Sequence, residues 1–140
     1  MKILIMGLPG SGKTYLAGRL AKSLRAVHLN ADRVRATINI DLKFSLEDRI
    51  EHARRMGWMS QLIKDSSIIA IADFICPTEE TRKAFNSDLI IWMNTIEKGR
   101  YDDTNRMFVP PTNANLTITS FDYVYEDVAQ KIQAMIAKNT

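Results

Sequence analysis

The sequence predicts a three-layer α/β fold built on a five-stranded parallel sheet. Short apolar runs of strand length alternate along the chain with stretches of helical period, which is typical of βαβ units. A glycine-rich turn at residues 7–14 joins the first apolar run to the first helical stretch. The length of 140 residues suffices for one core but not for two, so we expect a single domain over residues 1–140.

Each element is predicted from its local pattern. The strands are apolar runs bounded by turn or charged residues, and we place them at 2–6, 26–29, 67–73, 88–93 and 115–119. The helices fill the intervals at 13–24, 31–37, 46–64, 78–86 and 122–138. Along the longest helix, Leu46, Ile50 and Ala53 share one face. Ser45, with Asp48 three positions later, predicts an N-cap with an approximate capping box.

The segment from Asn94 to Asn113 has no clear period. It contains Gly99, Pro110 and Pro111, and we predict no regular structure for it. Because a structureless loop of this length is uncommon in a small domain, such a loop is usually functional. We therefore expect this segment to serve the site.

The glycine-rich turn, residues 7–14, matches the phosphate-binding pattern G-x-x-x-x-G-K-[ST] between a strand and a helix. Its backbone N–H groups can turn inward around phosphate oxygens, and the start of the helix favours anions. Lys13 is expected to reach the β- and γ-phosphates, and the Thr14 hydroxyl to hold Mg²⁺. The sequence thus predicts a bound nucleoside triphosphate with Mg²⁺. The expected binding residues are Gly7, Pro9, Gly10, Ser11, Gly12, Lys13, Thr14 and Tyr15.

Composition narrows the class of protein. With 46% hydrophobic and 25% charged residues, the chain is typical of a globular protein, and a net charge of +3 does not argue for nucleic acid without a localised patch. The single Cys76 excludes an intrachain disulfide and suits a reducing cytoplasm. No apolar stretch approaches the ~20 residues of a membrane-spanning helix, and the N-terminus lacks a signal-peptide pattern. We expect small-molecule nucleotide partners, no nucleic acid and no membrane, and leave a homodimer open.

Charged side chains follow the second predicted strand. Asp32, Arg33 and Arg35 fall at the carboxyl edge of the sheet, where open parallel sheets bind ligands. Phe44 and Arg49 come shortly afterwards. One aromatic ring and several guanidinium groups beside a phosphate loop indicate a second substrate that is planar and anionic.

These motifs resemble the adenylylsulfate kinases, or APS kinases, which use MgATP to phosphorylate the 3′-hydroxyl of adenosine 5′-phosphosulfate (APS). The family pattern D-G-D-x-V-R corresponds to residues 30–35, and D-L-G-F-S-x-E-D-R-x-E-N-x-R-R to residues 41–55. Its F-I-S-P corresponds to residues 74–77, with Arg82 at a similar distance, and its K-G-L-Y to residues 98–101. The resemblance runs in order through residues 1–101. It implies a P-loop nucleoside triphosphate hydrolase fold of the nucleoside-monophosphate-kinase type, with ATP and Mg²⁺ as cofactors and a role in sulfate activation.

The resemblance also implies residue roles. Asp32 would orient or deprotonate the acceptor hydroxyl near Mg²⁺, Arg35 and Arg49 would hold the phosphosulfate, and Phe44 would stack on the adenine of APS. Lys98 would lie near the transferring phosphoryl group. The implied catalytic residues are thus Lys13, Asp32 and Lys98, the metal ligands Thr14 and Asp32, and the substrate-binding residues Asp32, Arg35, Phe44, Arg49, His52 and Cys76.

Several positions depart from the family pattern. Asn30 replaces the first Asp of D-G-D and Ala31 its Gly, which removes one carboxylate. His52 replaces an Asn, and Cys76 a Ser. The region that follows the family's lysine-bearing lid is compressed to residues 101–111. Because a lid excludes water and completes the site on closure, either Arg100 and Arg106 serve that purpose here or the acceptor differs.

Alternatives remain for single residues. Asp32 could instead cap the helix near 33–37, although its place beside the phosphate loop favours the site. Asp73 could act through water on Mg²⁺ like a Walker-B acid, or cap the next turn. The remaining interpretations are structural: Phe44 in the core, Arg54 and Arg55 on a solvated face, His52 at the surface or satisfied rather than a base, Cys76 buried and not a nucleophile, and Trp58 and Trp92 in packing.

Three functions remain in view at this point. The first is an APS kinase. The second is a kinase of the same fold that phosphorylates another hydroxyl, on a nucleoside, a polynucleotide end, or a small sugar or alcohol. The third is a nucleotide-binding module without transfer activity, for which neither Asp32 nor Lys98 would be needed.

Overall fold

The computed structural model describes residues 1–139, which form an alternating series of strands and helices. In chain order these are β1 Lys2–Met6, α1 Lys13–Leu24, β2 Val27–Asn30, α2 Ala31–Thr37, α3 Leu46–Asp65, β3 Ala70–Phe74, α4 Glu79–Phe85, β4 Leu89–Met93, α5 Asp102–Met107, β5 Leu116–Ile118 and α6 Tyr125–Lys138. The predicted β1, α1 and α2 are confirmed to the residue.

The strands form one parallel sheet in the order β2-β3-β1-β4-β5. Every residue of β1 and of β3 is buried, as expected for strands covered on both faces. Ile3 and Ile5 pack in a core with α1 and α6, whereas Leu4 and Met6 pack in a second core with α2, α3 and α4. The predicted three-layer sandwich is thereby confirmed.

The largest departure from the predicted elements is α5. It lies inside the segment 94–113, for which no regular structure was predicted, and that prediction was wrong. A helix of six residues shows no apolar period, and its N-cap residue, Tyr101, makes no side-chain cap hydrogen bond, so neither of the usual signals is present. Elsewhere the bounds differ slightly. The strand predicted from 67 begins at Ala70 because Ser67 has a left-handed φ of 62°, and the last helix begins at Tyr125.

The entry to α3 is capped as predicted, but only in part. The Ser45 hydroxyl accepts a hydrogen bond from the Asp48 N–H at 3.1 Å. The Asp48 carboxylate accepts from the Lys43 N–H at 2.8 Å instead of turning back to Ser45, so the capping box is half formed. This bond fixes the turn that carries Phe44 towards the site.

Of the other structural interpretations, those for Arg54, Arg55 and Trp92 are confirmed, and the one for Trp58 is wrong. Arg54 and Arg55 both pair with Glu51 at the surface, as a solvated face predicts. Trp92 stacks on Phe108 with ring centroids 6.4 Å apart, whereas Trp58 is 61% exposed, so the packing role predicted for Trp58 was wrong. Within residues 1–139, no helix is both long enough and apolar enough to cross a membrane.

Candidate active site

The phosphate loop connects β1 to α1 and needs its glycines for steric reasons. A Cβ on Gly7 would lie 2.7 Å from the carbonyl oxygen of Met93, which is closer than any side chain tolerates. Gly12 has a φ of 93°, in the left-handed region that other residues rarely adopt. The helix α1 begins at the next residue, Lys13, so its free N–H groups face the loop.

Two polar side chains of this loop are buried. Lys13 is only 8% exposed, its Nζ donates to the Leu8 carbonyl at 3.0 Å, and burial lowers its pKa. The Ser11 hydroxyl is buried and has no hydrogen-bond partner within residues 1–139. An ammonium group, a free hydroxyl and the start of a helix together suit the oxygens of a phosphate chain.

A cavity of about 600 Å³ extends from the phosphate loop across the carboxyl edge of the sheet. Six structural segments supply its walls: the loop itself, α2, the entry and first two turns of α3, the end of β3 with the residues after it, α4, and the segment that leads into α5 together with the start of that helix. Its lining residues are Pro9, Gly10, Lys13, Thr14, Ala31, Asp32, Arg35, Phe44, Arg49, His52, Asp73, Phe74, Ile75, Cys76, Pro77, Thr81, Arg100, Tyr101, Asp103 and Thr104.

One wall of the cavity is an aromatic ring with two guanidinium groups close to it. Cζ of Arg35 lies 4.5 Å from the Phe44 ring centroid, and Cζ of Arg49 lies 5.6 Å from it. Arg49 is held from both sides, because its Nε donates to the Phe44 carbonyl at 2.9 Å and its Nη2 to the Thr104 hydroxyl at 3.1 Å. Phe44 is 55% exposed, so the core placement considered for it was wrong.

Arg35 contributes to this wall a guanidinium group whose hydrogen-bond donors are not all used. Its Nε is buried without a partner among residues 1–139, although burial of the group lowers its pKa. A buried, unpaired guanidinium N–H is costly unless a ligand accepts from it. Together Arg35, Phe44 and Arg49 offer a flat apolar face beside two cations, which suits a planar, anionic molecule.

Asp32 lies on the first turn of α2 and faces the same cavity. Its carboxylate is 92% exposed, and Oδ1 lies 3.9 Å from Nη1 of Arg35. The helix is capped by Asn30, whose side-chain oxygen accepts from the Arg33 N–H at 2.9 Å, so the capping role considered for Asp32 was wrong. Ala31 already belongs to the helix, which explains why no glycine is needed there.

Asp73 is the penultimate residue of β3 and is 2% exposed. The Thr14 hydroxyl donates to its Oδ1 at 2.9 Å, the Asn30 amide donates at 3.2 Å, and His28 Nε2 donates to its Oδ2. These partners belong to the phosphate loop and to β2, and Thr78 caps the following helix, so the turn-capping role considered for Asp73 was wrong. The sequence does not point to His28, because a lone histidine in a short strand carries no motif.

His52 and Cys76 line the cavity, but their side chains already interact with other residues of the protein. His52 is 1% exposed, its Nε2 donates to the Ala31 carbonyl at 3.1 Å, and its Nδ1 accepts from the Asn39 amide at 3.0 Å. Burial and the nearby Arg35 charge lower the pKa of His52 to about 4. Burial raises the pKa of the Cys76 thiol to about 12, which agrees with the predicted buried, unreactive cysteine.

The segment before α5 brings Arg100, not Lys98, to the cavity. Lys98 is exposed and is absent from the lining, whereas Arg100 lines it and its charge acts on Lys13. Arg106 is exposed and also lies outside the lining. The catalytic role expected of Lys98 therefore has a nearer candidate in Arg100.

Tyr15, also expected to bind the nucleotide, does not line the large cavity. With Gly12, Arg19 and Phe121 it lines a separate groove of about 360 Å³, completed by residues 123–126. Tyr15 is 65% exposed there and Phe121 is 55% exposed. The groove thus offers aromatic faces next to the loop at Gly12 and shares no lining residue with the large cavity.

Comparison with known proteins identifies relatives of this chain. The sequence pattern of the Adenylylsulphate kinase family matches residues 1–95. The adenylyl-sulfate kinase of Oceanobacillus iheyensis is 43% identical over 81 residues, which are 54% of this chain and 41% of that protein. A probable adenylyl-sulfate kinase of Aeropyrum pernix is 35% identical over 85 residues, 57% of this chain and 46% of that protein. The matched region therefore spans less than half the length of these curated relatives.

A solved structure resembles the whole described fold. The APS kinase of Mycobacterium tuberculosis, in complex with AMPPNP and APS, superposes with a TM-score of 0.82 at 22% identity, covering 97% of this chain and 96% of that one. This likeness confirms the predicted P-loop kinase fold. Since the family pattern matches 95 of the 140 residues, the chain belongs to the adenylylsulphate kinase family.

Proposed function

We propose that this protein transfers the γ-phosphoryl group of MgATP to the 3′-hydroxyl of adenosine 5′-phosphosulfate. The observation that carries the proposal is the cavity of about 600 Å³ that joins the phosphate loop to the wall of Arg35, Phe44 and Arg49. A phosphate site and a site for a planar anion share one continuous space. Phosphoryl transfer depends mainly on positioning and charge stabilisation, and this space offers both.

The ATP side is argued from the phosphate loop. Lys13 and the N-terminus of α1 would bind the phosphate chain, with Ser11 as a further donor. The groove lined by Tyr15 and Phe121 adjoins the loop at Gly12 and suits a purine ring. Thr14 supplies a hydroxyl oxygen of the kind that Mg²⁺ prefers, so the residues present fit this ion. When bound, Mg²⁺ would neutralise charge on the β- and γ-phosphates.

The acceptor side is argued from the wall formed by Arg35, Phe44 and Arg49. Phe44 would stack on the adenine of APS, and Arg35 and Arg49 would bind its phosphosulfate. Asp32, which lines the cavity and whose charge acts on Lys13 of the phosphate loop, would accept the proton of the 3′-hydroxyl. Arg100 would add positive charge at the mouth of the cavity beside Lys13.

An acceptor panel tests the proposal. The protein is incubated with MgATP and one of APS, adenosine, a 5′-hydroxyl oligonucleotide, gluconate or shikimate, and both ADP and the phosphorylated product are measured. We expect turnover with APS above all others. Product formed only from another acceptor would contradict the proposed substrate, and nucleotide binding without any product would contradict transfer itself.

A second candidate acceptor is favoured by one observation. The lid segment is short, and only Arg100, Tyr101, Asp103 and Thr104 of that segment reach the cavity. Because a lid completes the site around its substrate, a kinase of the same fold with a different hydroxyl acceptor is the second candidate. The panel distinguishes these cases directly.

Two coarser expectations accompany the function. The single cysteine is free and buried, which suits a reducing compartment, and we propose a cytoplasmic location. We also propose a homodimer, for which the exposed apolar residues of α3, Trp58 and Leu62, provide a candidate surface. Light scattering of the purified protein tests the second expectation, since a monomeric mass at micromolar concentration would contradict it.

A further inference from the structure

A hydrogen-bonded cluster lies where the phosphate loop meets the ends of β2 and β3. Asn30 and Asp73 are paired residues in the register of these two parallel strands. The Asn30 amide donates to both Asp73 oxygens, at 3.2 and 3.3 Å, and to the Thr14 hydroxyl at 3.3 Å. Thr14 in turn donates to Asp73 at 2.9 Å, and His28 donates from the other side.

We infer that Asp73 supplies the carboxylate that orders Mg²⁺ beside Thr14, in place of the acid that Asn30 replaces, and that His28 positions it. The family pattern has a carboxylate at the end of β2, where this chain has an amide. In this chain the carboxylate stands on the neighbouring strand, directly across the register. The inference deepens the proposed function, since it specifies how the chain would hold MgATP.

The direction of the hydrogen bonds supports this assignment. Because Thr14 donates its only hydroxyl proton to Asp73, a lone pair of Oγ1 stays available for a cation. Mg²⁺ is usually held by one or two protein oxygens together with phosphates and water, not by a full protein cage. In agreement, no group of three His, Cys, Asp or Glu side chains that could hold a metal occurs within residues 1–139.

The same cluster explains why Asn30 is an amide. Two carboxylates at the Asn30–Asp73 distance of 3.2 Å would repel each other strongly. An amide at position 30 instead donates to Asp73 and caps α2 with its oxygen. The absence of an acid at position 30 is therefore explained by the presence of Asp73 on the neighbouring strand.

Asp32, the other acid near the loop, is less suited to this task. Its carboxylate is 92% exposed, its recorded partner is Arg35 at 3.9 Å, and within the described residues it makes no hydrogen bond to Thr14. Asp32 faces the acceptor part of the cavity. Asp73 thus serves the metal, and Asp32 serves the acceptor hydroxyl.

The test measures how strongly Mg²⁺ tightens ADP binding, with no acceptor present. Isothermal titration gives the ADP affinity in excess Mg²⁺ and in EDTA for the wild type, Asp73→Asn, Asp32→Asn and the double exchange Asn30→Asp with Asp73→Asn. We expect Asp73→Asn to reduce the Mg²⁺ enhancement about tenfold or more. The double exchange, which returns a carboxylate to β2, should recover most of it, and Asp32→Asn should leave it nearly unchanged.

Each other outcome overturns the inference. If Asp73→Asn keeps the full Mg²⁺ enhancement, or if Asp32→Asn removes it, Asp73 is not the metal-ordering acid. If Asp73→Asn proves unfolded, as judged by circular dichroism, the double exchange decides, because recovery supports the inference and failure overturns it. No acceptor is used, so a negative result in the acceptor panel leaves this result intact.

His28 is tested as a positioning residue. His28→Gln keeps an N–H donor towards Asp73, whereas His28→Leu removes it. We expect the Leu variant to weaken the Mg²⁺ enhancement of ADP binding by several-fold and the Gln variant to retain it. Equal behaviour of the two variants would remove His28 from this arrangement, since a merely structural role would not distinguish them in this readout.

Discussion

The side-chain amide of Asn105 holds the backbone of Gly99 at both polar groups. Its oxygen accepts from the Gly99 N–H at 2.8 Å, and its nitrogen donates to the Gly99 carbonyl at 3.0 Å. Gly99 in turn lies against the phosphate loop, because a Cβ there would be 2.9 Å from Cδ of Pro9. The helix α5 therefore fixes the residue before Arg100 directly over the loop, and a short lid can keep a defined position.

We expect Asn105→Ala to lower kcat about tenfold while leaving ADP affinity in Mg²⁺ nearly unchanged. Without the two hydrogen bonds the segment before α5 loses its attachment, and Arg100 spends less time at the cavity. Steady-state kinetics with MgATP and APS, beside an ADP titration, measure the two effects. Asn113→Ala, on an exposed loop residue, is the matched control. A kcat equal to that of the control would show that the attachment has no catalytic consequence.

Arg100 and Lys98 make a direct comparison possible. Arg100 lines the cavity, and its charge acts on Lys13, whereas Lys98 is exposed outside the lining. We expect Arg100→Ala to lower kcat by about 10² and Lys98→Ala by less than about threefold, because charge stabilisation needs a cation at the transferring group. Single-turnover rates at saturating nucleotide measure both. A larger loss in Lys98→Ala would restore the role that the family resemblance implies for it.

The fold was largely predictable because most elements show both an apolar pattern along their length and a loop or cap signal at their ends. Buried parallel strands are continuous apolar runs, and helices such as α1 and α2 begin directly after a strong loop or cap signal. What failed was α5, whose six residues have no apolar stripe and whose side chains bond to Gly99, before the helix, and to Arg49 of α3. A helix held from outside leaves no pattern in its own sequence.

Site residues that belong to a recognisable motif could be predicted from the sequence. Residues that act through a hydrogen-bond network between distant parts of the chain were harder to predict. The phosphate loop, Arg35, Phe44 and Arg49 all reach the cavity or its edge. Sequence spacing does not reveal that Asp73 and His28 meet, because residues 45 apart become neighbours only through strand order. The family resemblance implied a role for Lys98, whereas Arg100 is the residue of that segment's basic pair that lines the cavity.

Asp32→Asn tests the acceptor side. We expect kcat with APS to fall by about 10² or more and nucleotide affinity to stay nearly intact, because a positioned proton acceptor contributes about 10² to 10⁴. Lys13→Ala is the contrasting variant, since it should weaken nucleotide binding and rate together. The readouts are kcat, KM for APS and ADP affinity. An unchanged kcat in Asp32→Asn would remove the carboxylate from the mechanism.

Two glycines within helices allow the steric effect of close packing to be measured apart from the intrinsic helix propensity of the residue. A Cβ on Gly57 of α3 would lie 2.5 Å from the Phe85 carbonyl oxygen, whereas one on Gly18 of α1 would meet nothing within 4 Å. We expect Gly57→Ala to destabilise the fold by about 1–3 kcal/mol through forced separation of α3 from α4. Gly18→Ala should stabilise it by up to about 1 kcal/mol. Urea unfolding measures both, and equal effects would contradict the close contact.

The last prediction concerns His52 and acid stability. Burial and the Arg35 charge lower its pKa from 6.5 to about 4, so between these values the unfolded chain binds a proton that the folded protein does not. Stability therefore rises with pH across this window: it is fully present above about pH 6.5 and is lost as the pH falls towards 4. The difference amounts to at most about 3 to 4 kcal/mol, from about 1.4 kcal/mol per unit of pKa.

His52→Asn isolates this contribution, because asparagine does not titrate and is the residue that the family pattern has at this position. We expect the variant to start from a lower stability at neutral pH, since the bonds to Ala31 and Asn39 change, but to lose less on acidification. Urea unfolding at several pH values between about 4 and 7 gives the slope for each protein. Glu51, whose pKa its arginine partners lower to about 2, titrates in both and cancels in the comparison. Parallel slopes for the variant and the wild type would mean that His52 is protonated as readily in the folded protein as in the unfolded chain.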